Sequence, residues 1–358
     1  MRQETYILRQ SSFPGARISN PSKVAPAASA IRSVGFLLVP GFALMSYAST
    51  VEPLRAANLL TGRDLYRWWH ATPGDQPAIA SSGAAVLPDF TFGADVGELD
   101  LLLVCAGGNP AQFNDRQTFA WLRKLAQRGV AIGGVSAGPF ILAKAGLLAG
   151  RRCTVHWEHM PAFQEAFPTV NLTRSLFELD GDRITCSGGV AGLDMMTALI
   201  VRDHGHRLGA AVGDWFLHSV ARDGVGPQRM DLRFRLGVAD ESVLAVLKAM
   251  EENIEEPLPR GQLAGLVGVS LRQLERSFRR HVHHGVHQHY LALRLDRARQ
   301  LLRETSLAVV EIALATGFGS ASQFGRAFRR AFGFPPRHIK TYTGNPHRWY
   351  AADWSRYG

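Results

Sequence analysis

The residues best suited to covalent chemistry are a serine on a glycine-rich turn and a histidine about 20 positions later. Gly134–Gly138 has the G-x-S-x-G form of a strand-to-helix elbow, in which small neighbours let Ser136 occupy a strained, exposed position. His156 is the obvious base for such a serine, and Glu52 or Glu158 can orient it. These residue types predict either a hydrolytic nucleophile or a pocket that keeps the layout without turnover.

Two neighbouring features fit a binding pocket. Gly107-Gly108 follows an apolar run and can offer backbone N–H groups to an anion, and Trp157 can offer an aromatic face to a cation. A hydrogen-bonded core histidine at His156 and plain packing of Trp157 stay open as alternatives. The expected ligand-binding residues are Ser136, His156, Trp157, Glu52, Gly107 and Gly108. Further aromatic candidates are Phe42, Tyr47, Trp68 and Trp69.

These residues lie in a segment that alternates strands and helices. Residues 34–39, 100–106 and 130–135 are apolar runs typical of buried strands, and residues 51–60 and 115–128 have helical patterns. Glu52 is expected at the start of the first of these helices. The alternation predicts an α/β three-layer sandwich with a parallel sheet, whose ligands bind beyond the carboxyl ends of the strands.

Nearer the C-terminus, residues 263–278 and 312–328 share one pattern. In each, an apolar helix ends at a glycine turn, a serine (Ser270 or Ser320) caps the next helix, and apolar residues turn that helix inward. The repeat predicts an all-α domain with two helix-turn-helix motifs. Two recognition helices suit successive major grooves, so double-stranded DNA is the expected partner.

The outward positions early in each recognition helix are candidates for reading bases, because Arg pairs with guanine and Gln with adenine. They are Arg272, Gln273, Arg276, Ser322, Gln323 and Arg326. The candidates for phosphate contacts are Ser270, Ser320, Arg279, Arg280, Arg329 and Arg330. On the joining helix, predicted over 286–302, Arg294, Arg297 and Arg299 are expected to be solvated or near phosphate. A general surface charge is the alternative for any one of these arginines.

Charge supports the DNA prediction independently. The chain holds 40 Lys and Arg against 30 Asp and Glu, and residues 257–345 alone hold 14 against four. The excess positive charge therefore lies on the helix-turn-helix segment, where phosphate neutralisation needs it. The three cysteines, Cys105, Cys153 and Cys186, have no metal-ligand spacing; we expect no metal or cofactor and a reducing cytoplasm. No apolar run approaches the length of a membrane span.

Composition divides the chain into five segments. Residues 1–32 are expected to be a flexible tail without a signal-peptide core, and residues 33–220 a ligand-sensing domain. A glycine-rich linker is expected over 221–240, the DNA-binding domain over 241–345, and an aromatic C-terminal extension over 346–358.

Particular motifs resemble known families. The C-terminal half resembles AraC/XylS-type transcription regulators, on Ala313-x-x-x-Gly317-Phe318, Ser322, Phe324, Arg326, Phe328 and Gly333-x-x-Pro336. The front half resembles the PfpI-like, class I glutamine amidotransferase-like sandwich, on residues 51–58, 145–148 and 156–158. The combination, covering roughly residues 33–342, is similar to regulators of glycine betaine and carnitine catabolism.

The resemblance implies a sequence-specific transcription regulator. It implies an activator gated by a quaternary amine or amino-acid-like metabolite in the N-terminal domain, working as a homodimer with RNA polymerase. Catalytic relatives of the sandwich carry a cysteine where this chain has Ser136, so no enzyme activity is expected. Two alternatives stay open: a Ser136-dependent hydrolase or amidase, and a ligand-independent repressor that uses the sandwich for dimerisation.

Overall fold

A computed structural model describes residues 31–341. Its strands are β1 (Arg32–Leu38), β2 (Tyr66–Ala71), β3 (Ala78–Ile79), β4 (Ala85–Val86), β5 (Leu101–Ala106), β6 (Ala131–Ser136), β7 (Arg152–Cys153), β8 (Asn171–Leu172), β9 (Phe177–Asp180) and β10 (Arg183–Cys186). The first helices are α1 (Leu44–Thr61), α2 (Arg116–Gln127), α3 (Gly138–Lys144), α4 (Met160–Ala166), α5 (Ala191–His204) and α6 (His206–Trp215). The later helices are α7 (Leu232–Leu236), α8 (Glu241–Glu252), α9 (Arg260–Leu266), α10 (Leu271–His281), α11 (Val286–Glu304), α12 (Val309–Ala315), α13 (Ala321–Phe332) and α14 (Arg337–Thr341). Most of the expected N-terminal tail and the expected extension over 346–358 lie outside the described residues.

The front domain is built on a six-stranded sheet in the order β2-β1-β5-β6-β10-β9, parallel except for β9. Alternate residues of β1 enter different cores, Phe36 and Leu38 on one face and Leu37 on the other. The first face packs against α1 and α5, and the second against α2, α3 and α4. This arrangement confirms the predicted α/β three-layer sandwich, because a strand buried on both faces must be apolar throughout.

The helix after β1 differs from the prediction. It spans Leu44–Thr61, so it starts well before residue 51, and Glu52 lies in its interior instead of at its start. Pro53 also lies inside this helix, although proline is more common in a helix's first turn. The first turn of α1, and not Glu52, therefore faces the ends of the strands.

The glycine-rich stretch expected to be a linker is fastened to the front domain. Leu176 donates its backbone N–H to the Gly224 carbonyl at 2.7 Å, and the Gln228 amide donates to the Val155 carbonyl at 3.0 Å. Arg222 pairs with the buried carboxylate of Asp194 at 2.6 Å. The stretch also contains α7. Gly224 packs closely against β9, because a Cβ at this position would lie 2.6 Å from the Phe177 carbonyl oxygen.

The helical domain has two hydrophobic cores joined by one helix. The first core collects α8, α9 and α10 around Val286 and Tyr290, in the N-terminal half of α11. The second collects α12 and α13 around Leu295 and Ala298, in its C-terminal half. Each helix-turn-helix unit therefore has its own core, and α11 belongs to both.

The three cysteines are free and fully buried. Burial raises the pKa of Cys153 and of Cys186 to about 12 and raises that of Cys105 further. All three therefore remain thiols at neutral pH.

The turns of the two helix-turn-helix units give a matched test of glycine. Gly268 and Gly317 both have positive φ, but a Cβ on Gly317 would lie 2.5 Å from Pro257 Cγ, whereas a Cβ on Gly268 would meet nothing within 4 Å. We predict that Gly268→Ala lowers the free energy of unfolding by about 1–2 kcal/mol through backbone strain alone. Gly317→Ala should cost about 1–3 kcal/mol more through overpacking. Urea unfolding of the full chain, followed by the helical circular dichroism signal, measures both; equal losses would contradict the steric argument.

Candidate ligand site and nucleic-acid interface

Ser136 occupies a strained elbow at the end of β6. Its φ is 60°, a conformation that side-chain-bearing residues rarely adopt. The chain can turn here because Gly138 approaches β5 closely: a Cβ on Gly138 would lie 2.0 Å from the Val104 carbonyl oxygen. The expected strain is present, but the expected exposure is wrong, since only 6% of Ser136 is accessible.

The loop after β10 packs against the elbow and against a second serine, Ser46 of α1. A Cβ on Gly188 would lie 2.7 Å from both Ser136 Cβ and Ser46 Oγ, so these three residues meet. Ser46, in the first turn of α1, is buried and accepts a hydrogen bond from the Gly189 N–H at 2.7 Å. Sequence reasoning missed Ser46 because it placed the start of α1 too late.

Among the described residues, Glu52 forms no hydrogen bond or ion pair with Ser136, Ser46 or Gly188. Its carboxylate accepts a hydrogen bond from Arg55 Nε at 2.7 Å, and 42% of the side chain is accessible. The pair is a surface contact between residues three apart on one helix, a kind that contributes little to stability. The expectation that Glu52 orients a base at the elbow therefore has no support in the geometry.

His156 lies beside the elbow, where its backbone N–H donates to the Ser136 carbonyl at 3.2 Å. Its ring Nδ1 accepts a hydrogen bond from the Glu158 backbone N–H at 3.3 Å, so Glu158 contributes its main chain and not its carboxylate. Burial, with a smaller effect of His159, lowers the pKa of His156 to about 4. Within residues 31–341, no hydrogen bond joins the side chains of Ser136 and His156. The groups of a serine–histidine–carboxylate relay are thus near one another without being assembled.

Gly107 and Gly108 directly follow Ala106, which pairs with Ser136 across β5 and β6. Gly107 packs closely against the backbone of Gly41, in the turn after β1. The carboxyl ends of three parallel strands therefore meet at the elbow, as the alternation of elements predicts.

Trp157 is 40% accessible, and one face of its indole is already occupied. The guanidinium of Arg229 lies 4.4 Å from the ring centroid. The ring therefore does accept a cation, but here the cation comes from the segment that leads to the DNA-binding domain. A ligand cation must use the other face or displace Arg229.

The recognition helices α10 and α13 bury apolar residues on one side and expose charge on the other. Leu274 and Phe278 are buried in α10, and Phe324 and Phe328 in α13. All twelve residues predicted for bases or phosphates are exposed: Ser270, Arg272, Gln273, Arg276, Arg279, Arg280, Ser320, Ser322, Gln323, Arg326, Arg329 and Arg330. These faces can reach a duplex without rearrangement of the fold.

Both glutamines predicted to read adenine form capping hydrogen bonds in this structure. Gln273 Oε1 accepts from the Ser270 N–H at 2.8 Å, and the Ser270 hydroxyl accepts from the Gln273 N–H at 3.3 Å. Gln323 Oε1 likewise accepts from the Gly319 N–H at 3.2 Å. A bidentate contact with adenine needs the same oxygen, so capping and base reading exclude each other.

The arginines of the joining helix are partly buried, which corrects the expectation that they are solvated. Arg294 donates to the carbonyls of Thr316 and Gly317, both at 2.8 Å, and lies 4.2 Å from the centroid of the Phe318 ring. It therefore fixes the turn of the second unit. Burial lowers the pKa of Arg297, and Arg299 pairs with Asp296 at 3.1 Å.

Sequence reasoning also missed part of the basic surface. A groove of about 530 Å³ runs along α10, lined by Ser270, Arg272, Gln273, Glu275, Arg276 and Arg279. A second hollow of about 370 Å³ shares Glu275 and Arg279 with it and adds Arg260, His283, His284, Gly285, His287 and Gln288. The density of histidines over 281–289 was the available signal for this second hollow.

The parallel sandwich, followed by two helix-turn-helix units with exposed basic faces, defines a DNA-binding transcription regulator with an α/β accessory domain. The DJ-1/PfpI family matches residues 32–202, and a helix-turn-helix domain family matches residues 263–341. The chain belongs to the family of transcription regulators that join a DJ-1/PfpI domain to an AraC-type helix-turn-helix domain. In the part of the chain that the structure describes, no helix is long and apolar enough to cross a membrane.

Relatives of known class match both domains together. The chain is 45% identical to the HTH-type transcriptional regulator GlxA of Rhizobium meliloti (strain 1021), over 88% of this chain and 97% of that protein. It is 44% identical to the regulator CdhR of Pseudomonas aeruginosa, over 84% of this chain and 89% of that protein. It is 43% identical to the regulator GbdR of the same species, over 86% of this chain and 83% of that protein. These matches confirm the resemblance inferred from the motifs.

The buried His156 predicts a pH dependence of stability. Because its pKa of about 4 in the folded state is below the ordinary 6.5, the unfolded chain binds the proton first. Stability should be fully present above pH 6.5 and fall between pH 6.5 and 4, by up to about 3 kcal/mol from this residue. Urea unfolding at pH 7.5 and 4.5 should show a smaller loss in His156→Gln. His289→Gln in the helical domain should show a smaller loss as well, since burial also lowers its pKa to about 4. An unchanged pH dependence in His156→Gln would contradict the assignment.

The capping geometry separates two neighbouring residues of α10. We predict that Arg276→Ala weakens binding to a duplex selected from a random library by about 1–3 kcal/mol. Gln273→Ala should leave DNA affinity nearly unchanged while lowering helix stability by about 1 kcal/mol. Fluorescence anisotropy at fixed salt gives the affinities, and Arg207→Ala, an exposed arginine of α6, is the control for charge alone. An affinity loss in Gln273→Ala equal to that in Arg276→Ala would mean that the amide leaves its cap to read a base.

Proposed function

We propose that this regulator is an activator gated by a small metabolite that binds at the elbow of the front domain. One observation carries the proposal: Ser136 keeps its strained conformation although no base among residues 31–341 is hydrogen-bonded to its side chain. Strain of this kind persists where a site uses it. A serine with a strained backbone but without an assembled relay suits ligand binding better than turnover. The domain that carries this serine also precedes a DNA-binding domain.

The groups at the elbow favour a ligand that combines a cation with a carboxylate, such as glycine betaine or carnitine. The hydroxyls of Ser136 and Ser46 can donate to the carboxylate. Trp157 already holds one cation on its ring. Tyr47, next to Ser46, packs edge-on against Phe42 with ring centroids 5.7 Å apart, which adds aromatic surface near the first turn of α1.

A Ser136-dependent hydrolase or amidase is the second candidate, and the elbow geometry is the observation that favours it. Two features of the described residues weigh against it. His156 Nδ1 accepts a hydrogen bond from the Glu158 backbone and not from Ser136, and neither Glu52 nor Glu158 forms a side-chain hydrogen bond with His156. We therefore propose that the front domain binds its ligand without turnover.

The regulator is also proposed to act as a homodimer in the cytoplasm and to contact RNA polymerase. Ligand binding would change the packing of the front domains and so place two DNA-binding domains on adjacent half-sites. A ligand can shift this equilibrium only by its differential affinity for the two arrangements.

The proposal predicts a ligand-dependent thermal shift. Glycine betaine, dimethylglycine, carnitine, choline and arginine are tested against the purified full chain, where a ligand at a hundredfold excess over its Kd stabilises by about 2.7 kcal/mol. The shift should disappear in Ser136→Ala and Trp157→Ala and persist in Trp215→Ala, which removes another exposed tryptophan. It should also persist in Arg276→Ala.

Other outcomes of this measurement would overturn parts of the proposal. No shift with any compound would remove the quaternary-amine class and favour the ligand-independent repressor. Product formation from one of these compounds that is lost in Ser136→Ala would establish the hydrolase.

A further inference from the structure

The C-terminal end of α11 is buried against the front domain. Glu304, the last residue of α11, is 0% accessible, and its Oε2 lies 3.0 Å from Nδ1 of His159, which is 5% accessible. One residue earlier, the Arg303 carbonyl accepts a hydrogen bond from the Asn109 side-chain amide. Two successive residues of the DNA-binding domain are therefore held by two different loops of the front domain.

Those loops are the ones that carry the candidate ligand residues. Asn109 follows Gly107-Gly108 directly, and His159 follows His156, Trp157 and Glu158. The two histidines of this loop also pack together, with ring centroids 5.9 Å apart. A ligand that moves either loop therefore acts on a residue bonded to the end of α11.

A third contact joins the same loop to the first helix-turn-helix unit. Arg229 lies over the Trp157 ring and forms an ion pair with Glu251 of α8 at 3.7 Å. Glu251 is also paired with Arg235 at 2.9 Å, on the helix α7 that precedes α8. The loop over 156–159 is thus bonded directly to the end of α11 and connected through Arg229 to α8.

The buried contact leaves polar groups unsatisfied. Glu304 Oε1 and, one turn earlier, Gln300 Nε2 are buried and have no hydrogen-bond partner among the described residues. Burial raises the pKa of Glu304, and the hydrogen bond with His159 opposes that rise. Unsatisfied buried groups of this kind disfavour the docked arrangement, whereas the hydrogen bond between His159 and Glu304 favours it.

Resting on the proposed metabolite gating, we propose that the His159–Glu304 contact is the releasable latch through which the ligand site controls the second helix-turn-helix unit. In the docked arrangement, the end of α11 is fixed against the front domain. Because Leu301 and Leu302, in its last turn, lie in the core of that unit, undocking of the end frees the unit to orient on its half-site. The latch sets the position of α13 and does not contact DNA.

A double-mutant cycle tests the latch by hydrogen exchange on the full chain without ligand. His159→Gln takes from Glu304 its only described partner, so the amides of residues 300–310 should exchange at least about tenfold faster, because breaking a buried pair is strongly destabilising. Glu304→Gln removes the buried carboxyl group, and the double variant His159→Gln/Glu304→Gln should regain much of the wild-type protection. Non-additive effects identify a direct coupling between the two residues.

The chain supplies a matched control. His218 pairs with the buried carboxylate of Asp194 at 2.7 Å, entirely within the front domain. His218→Gln should leave exchange over 300–310 unchanged, and exchange in β1 and β5 verifies in every variant that the sandwich is folded. Wild-type protection in His159→Gln, equal loosening in His218→Gln, or additive effects in the double variant would each overturn the latch.

DNA binding separates a latch from a merely structural pair. In the absence of ligand, His159→Gln should bind duplexes that carry two half-sites at least about fivefold more tightly than wild type, the lower end of typical allosteric coupling. Faster exchange with unchanged affinity would mean that the pair only stabilises the fold, and the latch would be wrong while the proposed function stands. Failure of the wild-type chain to bind any selected duplex would instead contradict the proposed function itself.

Discussion

The geometry of the DNA-binding domain depends on one shared helix. α11 contributes Val286 and Tyr290 to one hydrophobic core and Leu295 and Ala298 to the next, so neither helix-turn-helix unit is complete without it. Its 19 residues make a rod of about 28 Å at 1.5 Å per residue. Successive major grooves on one face of DNA are about 34 Å apart, so a stiff spacer of this length suits the task. Arg294, which fixes the turn of the second unit, adds to this rigidity.

The same helix connects the two halves of the chain. Its last residues are held by the loops that follow β5 and β7, and the glycine-rich stretch before α8 is itself packed on the front domain. The two hydrophobic cores along α11 preserve the distance between the recognition helices. The contact at the end of α11 is polar and leaves buried groups without hydrogen-bond partners among the described residues. Release of that contact would change how the whole helix is attached to the front domain.

Local signals made the two helix-turn-helix units predictable. A glycine at positive φ, a capping serine and inward apolar residues each depend on the nearest few positions, and so does an apolar strand such as β1. Features that depend on contacts across the chain were missed or wrong. Ser46 meets Ser136 at the loop around Gly188, and α1 begins at Leu44, several residues before the predicted start. The roles of Gln273 and Arg294 were hidden for a similar reason, because composition cannot distinguish a side chain that binds its own backbone from one that faces solvent.

The cysteines of this chain carry a consequence for what the regulator can respond to. Oxidants attack thiolates, and Cys105, Cys153 and Cys186 are buried thiols whose pKa values are raised far above neutrality. The elbow holds Ser136, whose oxygen cannot enter thiol–disulfide chemistry. The three cysteines of this chain therefore offer peroxide and the cellular thiol pool no reactive thiolate to modify.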